Sequence, residues 1–498
     1  MNAEIHNLRL AWSWAVEQGS VERLGQMAGS LGMYCWEHSL HREGEPAFRA
    51  AAERVSAVVA RPSPPAPDRL RTLARLLAWQ GNWNSNLGCL DAADRLFERS
   101  ESLLERLEVA GQDTRAERAL LLGFRVDSIG DRDNRASRQL SEQRLALCRE
   151  LGDRWGLCDA LANLGLGAFF ASNYREARQW FEETLAVGRS LGIASGVSNG
   201  LGSLSAVAAM QGDGETAVRL ASELHGPYQG GDQRPRDLTA CWTWGCVLPC
   251  LGEYAEAEAM WAQVAAIWVA QGSGQIYRPL IWQIEANLHL GRYEEVRALA
   301  QKELALTREQ LAPAYAAVTL AILGRLELAA GSYPEAQRLL EQSIATYRQC
   351  GIFRDGLGLA LGDMGYLAHA LGQPEHAWAC LYEALQIGQE TGALAPLLQA
   401  LPAVALLMAS HGKRERSLEL FALAWQQPRA SNSRWFQDVY CKPMAAIAAG
   451  LPPEIIAAAQ ERGRARDLQA TVQELLAELE REQATQSLSE GQERHTDT

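Results

Sequence analysis

The chain has 498 residues, of which 47% are hydrophobic and 21% charged, so a disordered protein is excluded and several packed units are expected. Acidic side chains outnumber basic ones 60 to 47, and the net charge of −13 argues against nucleic-acid binding as the main function. Ten cysteines without a Cys-x-x-Cys pair argue against a disulfide scaffold, and the N-terminus has no signal-peptide pattern, so a cytoplasmic protein is expected.

The first residues of the chain divide into two parts. Residues 1–60 are expected to form an N-terminal helical segment. Residues 61–68 contain four prolines, and because proline lacks the amide proton that a helix interior needs, this stretch predicts a linker. Asp68 is the expected N-cap of a helix that begins at Arg69, where the repeats start.

Residues 69–430 carry a repeat with a period of about 40 residues. A small residue recurs at intervals of 39 to 43 residues, which is too regular a spacing for chance. We call each such position the anchor of its repeat. The anchors are Ala93, Ala136, Ala177, Ala217, Ala257, Val296, Ala336, Ala377 and Ser417.

Each repeat has the features of two packed helices. A turn containing glycine precedes most anchors, as at Gly252 and Gly331, and glycine ends a helix by tolerating a positive φ. A small anchor lets two helices approach, and a bulky residue one turn later fills the groove between them. The bulky residues that follow an anchor by four positions are Phe97, Leu140, Phe181, Trp261, Leu340, Leu381 and Phe421. No alternating pattern of β-branched residues predicts a strand.

Towards the C-terminus the repeat pattern lapses. Residues 431–480 are expected to form a C-terminal helical cap, because an apolar stripe from Leu468 to Leu479 would cover the open end of the array. Residues 481–498 are mostly polar and predict a disordered tail. The stretch Thr391–Gly412 has no charged side chain, but its internal prolines favour a buried helix over a membrane span.

The repeat resembles the tetratricopeptide repeat. The clearest unit has Leu164 and Gly165 in its first helix and Ala177 and Phe181 in its second, as the pattern of that family requires. The resemblance implies an all-α, right-handed superhelical solenoid of helical hairpins. The period exceeds the 34 residues of that family by about six. The low glycine and proline content of the second helices predicts longer helices rather than longer loops.

Both ends of the chain resemble bacterial signal-transduction ATPases, which are transcriptional regulators of the LuxR-like or antibiotic-regulator type. The resemblance lies in Glu4–Gly19 and in Leu451–Val472, which flank the tetratricopeptide sensor region in those regulators. The sequence has no Gly-x4-Gly-Lys-Ser/Thr loop for phosphates and no basic helix-turn-helix. The resemblance therefore implies a sensor region that lacks the ATPase and DNA-binding modules. Either those modules are separate polypeptides, or the chain is internal to a longer gene product.

In tetratricopeptide arrays the first helix of each hairpin lines a concave groove, and the resemblance assigns residues of this chain to it. The assigned residues are Arg125, Trp242, Glu285, Leu288, Arg325 and Tyr366, with His289 and His369 near the rim. Aromatic rings beside a carboxylate and guanidinium groups suit recognition of a peptide or a small ligand. The alternative is that Trp242 merely packs against the next repeat.

Two short motifs resemble catalytic or metal sites but have simpler explanations. Gly196–Gly200 matches the Gly-x-Ser-x-Gly pattern of a hydrolase nucleophile, but that motif follows a strand, and here a turn between two helices is expected. His38 and His41 lack a third convincing zinc ligand, which favours a solvated helix end. No catalytic residue, cofactor or metal is therefore expected.

The leading hypothesis for the function is a non-catalytic recognition module that binds through the concave face, as the sensor part of a bacterial regulator. Its expected partner is a protein or a peptide. A small-molecule inducer and a separately encoded ATPase or effector module are further candidates, whereas nucleic acid and membrane are not expected. The alternative is a scaffold or adaptor that holds a protein complex together without switching.

Overall fold

The computed structural model describes residues 4–60, 66–130, 132–228 and 238–478, and within these ranges the chain is helical without a strand. The first helices are α1 Ile5–Gln18, α2 Val21–Glu37, α3 His41–Val59, α4 Pro67–Asn86, α5 Leu90–Val109, α6 Arg115–Ile129, α7 Asn134–Leu151, α8 Arg154–Phe170, α9 Tyr174–Leu191, α10 Ala194–Met210 and α11 Gly214–His225. Those of the middle are α12 Leu238–Val247, α13 Tyr254–Gln271, α14 Tyr277–His289, α15 Tyr293–Glu309, α16 Pro313–Ala330, α17 Tyr333–Cys350, α18 Arg354–Ala370 and α19 Pro374–Thr391. The last are α20 Leu394–Ser410, α21 Arg414–Trp425, α22 Pro428–Ser431, α23 Arg434–Phe436, α24 Lys442–Ala448, α25 Pro453–Arg464 and α26, residues 468–478.

From α4 to α21 the described helices form nine hairpins, and the predicted fold is confirmed as an all-α superhelical solenoid of tetratricopeptide-like units. Each helix packs on its neighbours in sequence, and first helices also pack on the first helices of adjacent hairpins, as α4 does on α6 and α18 on α20. Most of the helices have 17 to 20 residues, as α16 and α17 show with 18 each. The long period therefore comes from long helices, as the sequence predicted.

Glycines in the first helices let the hairpins close. A Cβ atom on Gly165 would lie 2.4 Å from the ring of Phe181, which is fully buried. A Cβ atom on Gly245 would likewise lie 2.8 Å from the ring of Trp261. In these two hairpins the bulky residue predicted after the anchor therefore packs onto a helix surface that only glycine leaves open.

The N-terminal helices belong to the same core as the first repeats. Buried residues from Trp12 to Phe124 form one apolar cluster, so α1–α3 are continuous with the array rather than separate from it. Helix α4 begins with Pro67 and has Ala66 as its N-cap, so the expected cap at Asp68 was wrong. Proline is favoured at this first position because its missing amide proton has no partner there in any helix. Of the predicted linker, residues 61–65 lie outside the described residues.

Successive turns of the superhelix contact each other. The side chain of Asp355 at the start of α18 accepts hydrogen bonds from the hydroxyls of Ser172 (2.6 Å) and Tyr174 (2.8 Å). The backbone amide of Gly274 donates to the carbonyl of Asn86 at 2.9 Å. Both contacts join residues more than 180 positions apart, so the coil is wound tightly enough for its turns to touch.

The C-terminal residues divide between the end and the interior of the solenoid. Helices α25 and α26 cover α21, where the backbone of Gly463 lies against Glu419 and the side chains of Val472 and Leu475 are fully buried. Residues 428–448, comprising α22–α24 and the π-helical turn between α23 and α24, pack instead on the inner face, and we call them the inner segment. The predicted tail at 481–498 lies outside the described residues.

Two apolar helices lie in the core. Helix α16 is the one described helix whose length and apolar composition would allow it to cross a membrane, but 61% of it is buried inside the solenoid, as expected of a core helix. Helix α20 is buried from Leu394 to Met408. The prediction of a buried helix within Thr391–Gly412 is therefore confirmed.

Candidate functional site

The inner face of the C-terminal half brings together several residues that the sequence assigned to the groove. Glu285 on α14 and Arg325 on α16 approach within 4.0 Å, and His289 lies 3.7 Å from the same Glu285 oxygen. Arg429 from the inner segment donates to that oxygen at 3.0 Å. Tyr366 lies on α18 along the same face. All but Arg429 are at most 8% exposed, so these side chains are assembled but covered.

The inner segment covers them. The hydroxyl of Ser433 lies 2.7 Å from Nδ1 of His289, and Nε1 of Trp435 donates to the carbonyl of Arg325 at 2.7 Å. Trp435 is fully buried. The chain therefore occupies this part of its own concave face, and a partner has no access to the groove there.

The buried charges of this cluster compensate each other. Burial alone would raise the pKa of Glu285, but the neighbouring His289 imidazole and the guanidinium groups of Arg325 and Arg429 hold it well below its usual range. Burial lowers the pKa of His289 to about 4, against the opposing effect of Glu285. Glu285 is therefore ionised between Arg325 and Arg429, and His289 is neutral. This arrangement can hold the inner segment in place, because Arg429 and Ser433 of that segment bond to Glu285 and His289.

The other residues assigned to the groove lie apart from this cluster. Arg125 forms a partly exposed ion pair with Glu101 at 2.6 Å. The ring of Trp242 lies 5.0 Å from that of Trp261 and 5.7 Å from that of Trp268, so Trp242 packs within its own hairpin. The last two residues, Leu288 and His369, are respectively buried in the core and half-buried near the end of α18.

A cavity with room for about one water molecule lies on the inner face in the N-terminal half of the chain. We call it the N-terminal pocket. Helices α2, α4, α6 and α8 form it together with one side chain from α7. Its lining residues are Met33, Trp36, Trp79, Leu120, Gly123, Phe124, Asp127, Arg144, Trp155 and Asp159.

The α6–α7 hairpin departs from the repeat in a way that builds this pocket. Gly123 is followed 14 residues later by the buried small residue Ser137, whereas the glycine and the anchor are 12 apart in other hairpins, such as that of Gly165. The expected anchor Ala136 and bulky residue Leu140 are only partly buried, so the predicted register was wrong here. The longer connection between the helices shifts the register.

In this hairpin a guanidinium group replaces the usual bulky apolar side chain. Four positions after Ser137 stands the small Ser141, and Arg144 one turn later fills the space against α6 instead. A Cβ atom on Gly123 would lie 2.6 Å from the Arg144 guanidinium carbon. Arg144 therefore occupies the place that an aromatic ring or a leucine takes in other hairpins. Its buried positive charge lies at the wall of the pocket.

Two carboxylates accompany that charge. Arg144 is 4% exposed and donates a hydrogen bond to Asp159. Asp127 is partly buried and has no hydrogen-bond or ion-pair partner among the described residues. Burial raises the pKa of Asp127 to about 7, and the charge of Asp159 adds to this effect while Arg144 and Arg278 oppose it. The pocket therefore combines aromatic walls, the ion pair of Arg144 with Asp159, and the Asp127 carboxylate, on which the charges of Arg144 and Arg278 act without a direct hydrogen bond among the described residues.

The sequence analysis missed the residues of this pocket because it counted back from Ala136. Counting from Gly123, which corresponds to Gly165 of the next hairpin, places Phe124 and Asp127 on the inner face in place of Arg125. The signal that could have found them was therefore the glycine of the first helix, not the anchor of the second.

The two motifs set aside in the sequence lie within a helix and at the junction of two helices. Gly196–Gly200 lies inside α10 rather than in a turn, and Gly196 and Gly200 let α10 approach α9 closely, at Gly188 and Leu185. His38 is exposed at the end of α2, as expected, but His41 begins α3 partly buried with its ring 5.9 Å from that of Trp83, so the expected solvated helix end was wrong for His41. No group of three or more His, Cys, Asp or Glu side chains in the described part of the chain is placed to hold a metal ion.

The comparisons with known proteins give the fold but no family. No family model matches the chain, and no curated protein matches it in sequence. Among solved structures it is similar to the Rap protein complexed with Competence and Sporulation Factor, with 12% identity and a TM-score of 0.54 over 74% of this chain and 99% of that one. It is also similar to the APC/C hetero-tetramer Cut9-Hcn1, with 12% identity and a TM-score of 0.48 over 92% and 96% of the two chains. Neither structure links the chain to signal-transduction ATPases.

Proposed function

We propose that this chain is a non-catalytic module that recognises a protein or peptide on the inner face of its N-terminal half, at the N-terminal pocket. The observation that carries the proposal is the contrast between the two halves of that face. The C-terminal half is filled by the inner segment, whose Trp435 is fully buried, whereas in the N-terminal half Trp36 and Trp155 stay partly exposed around the cavity of the N-terminal pocket. A partner that uses the concave face therefore has these two rings available.

The lining of the pocket suits side-chain recognition. Trp36 and Trp155 are partly exposed on its walls, and indole rings supply large contact areas at a small loss of conformational entropy. Asp127 and Asp159 add polar groups that select among side chains. The solved Rap structure, a similar fold complexed with Competence and Sporulation Factor, supports recognition by such a solenoid.

Under this proposal the covered residues have a supporting role. Glu285, His289 and Arg325 hold the inner segment instead of touching a partner. The inner segment then keeps the C-terminal half of the superhelix closed. The inner face of the N-terminal half remains accessible to a partner.

The finer proposal is a cytoplasmic sensor of a bacterial transcriptional regulator, in which occupancy of the pocket changes the affinity for an effector. Its support is the sequence resemblance of Glu4–Gly19 and Leu451–Val472 to signal-transduction ATPases. A small-molecule inducer and a separate ATPase belong to this finer proposal. The scaffold alternative differs in one measurable respect, because partner binding would then leave the affinity for a second protein unchanged.

A peptide-library selection tests the proposal. Random peptides displayed on phage are selected on the full chain and then measured against Trp155→Ala and, as a matched control, Trp14→Ala, because Trp14 is 45% exposed on α1. We expect an enriched consensus that binds the wild type and the control equally and Trp155→Ala at least about tenfold more weakly. No consensus, or equal binding to all three proteins, would overturn it.

A further inference from the structure

The contacts between successive turns of the coil lie at the ends of helices. The backbone amide of Gly274, in the α13–α14 connection, donates to the carbonyl of Asn86 at the end of α4. A Cβ atom on Gly212, in the α10–α11 connection, would lie 2.7 Å from the side chain of Leu394, which begins α20. The faces of the helices pack mainly on neighbours in the sequence, within each turn. Separating the turns therefore leaves the packing within each hairpin intact.

A network of hydrogen bonds joins the α8–α9 connection to the start of α18, between those two contacts in the coil. The carboxylate of Asp355 accepts from Ser172 and Tyr174, and the Asp355 amide donates to the Ser172 hydroxyl at 3.0 Å. The amide of Phe353 donates to the carbonyl of Phe170 at 2.6 Å, and their two rings meet edge to face at 5.7 Å. We call these five residues the turn latch. Water replaces such polar bonds when the turns separate, so opening costs less than exposing an apolar core.

Both sides of the turn latch hold a residue in the left-handed backbone region. The φ angle is +59° at Ser172 and +54° at Phe353, and these are two of the four non-glycine residues with positive φ in the described part of the chain. Seven other hairpins have glycine at the position of Ser172, two residues before the second helix; these are Gly88, Gly212, Gly252, Gly291, Gly331, Gly372 and Gly412. Ser172 therefore adopts a strained conformation that glycine would avoid, and its hydroxyl bonds to Asp355. Strain of this kind is typical of segments that switch between conformations.

The turn latch connects the two halves of the inner face. Phe170 is the last residue of α8, which carries Trp155 of the N-terminal pocket near its other end. Asp355 lies near the start of α18, which packs on α16 and α20 in the C-terminal half. A change at this contact therefore acts on both halves.

We infer that the turn latch is a releasable closure of the coil. When its bonds break, the turn formed by α4–α11 separates from the turn formed by α13–α20, and the inner face of the N-terminal half becomes more accessible. The opening itself does not depend on what the chain binds. Its role in access rests on the proposed function.

Hydrogen exchange followed by mass spectrometry tests the closure on the full chain without a ligand. Tyr174→Phe removes only the hydroxyl that bonds to Asp355. Tyr228→Phe is the matched control, because its hydroxyl donates to Glu256 at 2.6 Å between neighbouring hairpins of one turn. The informative amide is that of Gly274, which bonds across the turns at a contact that neither substitution touches. We expect it to exchange at least about fivefold faster in Tyr174→Phe than in the wild type, and at an unchanged rate in Tyr228→Phe.

The pattern of exchange separates a closure from a local contact. Faster exchange confined to residues 170–174 and 353–355, or an unchanged rate at Gly274, would overturn the inference. Faster exchange throughout the chain, including α16, would show unfolding instead of opening and would also overturn it. Asp355→Ala removes the acceptor of both hydroxyls, so it should have a larger effect at Gly274 and lengthen the particle in small-angle scattering, with the far-UV circular dichroism of the wild type.

A binding measurement tests the role in access separately. For a peptide obtained from the phage selection, we expect an association rate constant at least about threefold higher in Tyr174→Phe than in the wild type, because binding no longer waits for the turns to part. Tyr228→Phe should bind at the wild-type rate. Unchanged association together with faster exchange at Gly274 would overturn the role in access and leave the closure intact. If the selection yields no peptide, the proposed function fails while the exchange at Gly274 still decides the closure.

Discussion

Glu303 offers a quantitative test of how the solenoid core is built. It lies on the buried face of α15, is fully buried, and neither of its carboxylate oxygens has a hydrogen-bond partner among the described residues. Burial raises the pKa of this carboxyl from 4.5 to about 8, and the nearby Thr319 hydroxyl opposes the shift. The folded chain therefore holds a proton at neutral pH that the unfolded chain releases.

The sign and size of the effect follow from linkage. Well below pH 4.5 both states are protonated and Glu303 causes no pH-dependent loss of stability. Between pH 4.5 and about 8 the free energy of unfolding falls by about 1.4 kcal/mol for each pH unit, because only the unfolded state ionises. At pH 7 the loss is about 3 kcal/mol, and above pH 8 it levels off at about 5 kcal/mol.

Substitution by a residue that does not titrate removes this loss. We expect Glu303→Gln to be close to the wild type in stability at pH 5 and more stable by up to about 3 kcal/mol at pH 7 to 8. The assay is urea denaturation of the full chain, followed by far-UV circular dichroism at both pH values. Glu309→Gln, an exposed change on the same helix, should differ little from the wild type at either pH. Identical pH dependence in Glu303→Gln and the wild type would refute the argument.

Two further substitutions test the packing of the hairpins and of the inner segment. Gly165→Ala places a Cβ 2.4 Å from the buried ring of Phe181 and should lower the free energy of unfolding by about 1–3 kcal/mol. On the same helix Gly167→Ala, whose nearest neighbour would lie 3.4 Å away, should raise it by about 0.5–1 kcal/mol. Thermal denaturation distinguishes the two, and equal shifts would contradict the proposed close approach. Trp435→Ala removes a fully buried ring and should cost about 3–5 kcal/mol and open the inner segment to limited proteolysis, whereas Trp14→Ala should do neither; protection of the inner segment in Trp435→Ala would show that other contacts hold it.

The pairing of helices was predictable from the sequence. Gly165 and Phe181 are 16 positions apart, and so are Gly245 and Trp261, so the contacts that close a hairpin recur with the period of the repeat. Such short-range contacts leave a pattern that a single sequence displays. The buried helix α20 was predictable for a similar reason, since it has no charged residue and could only lie in the core.

The candidate site was predictable only in part. The register of the first helices placed Glu285 and Arg325 on the inner face, and the structure brings them within 4.0 Å of each other. In the α6–α7 hairpin the same procedure selected Arg125 instead of Phe124 and Asp127, because two extra residues between Gly123 and Ser137 shift the register. A local insertion cannot be recognised from a period that is counted across it.

The sequence by itself determined that the chain is a stack of helical hairpins, because the forces that pair two helices act between residues close together along the chain. Only the tertiary structure decided which part of the inner face is open. The inner segment reaches Glu285 and His289 from 144 positions away, and one turn of the coil meets the next across more than 180 positions. Contacts at such separations occur once and leave no repeating signal, so they emerge only when the coil has closed on itself.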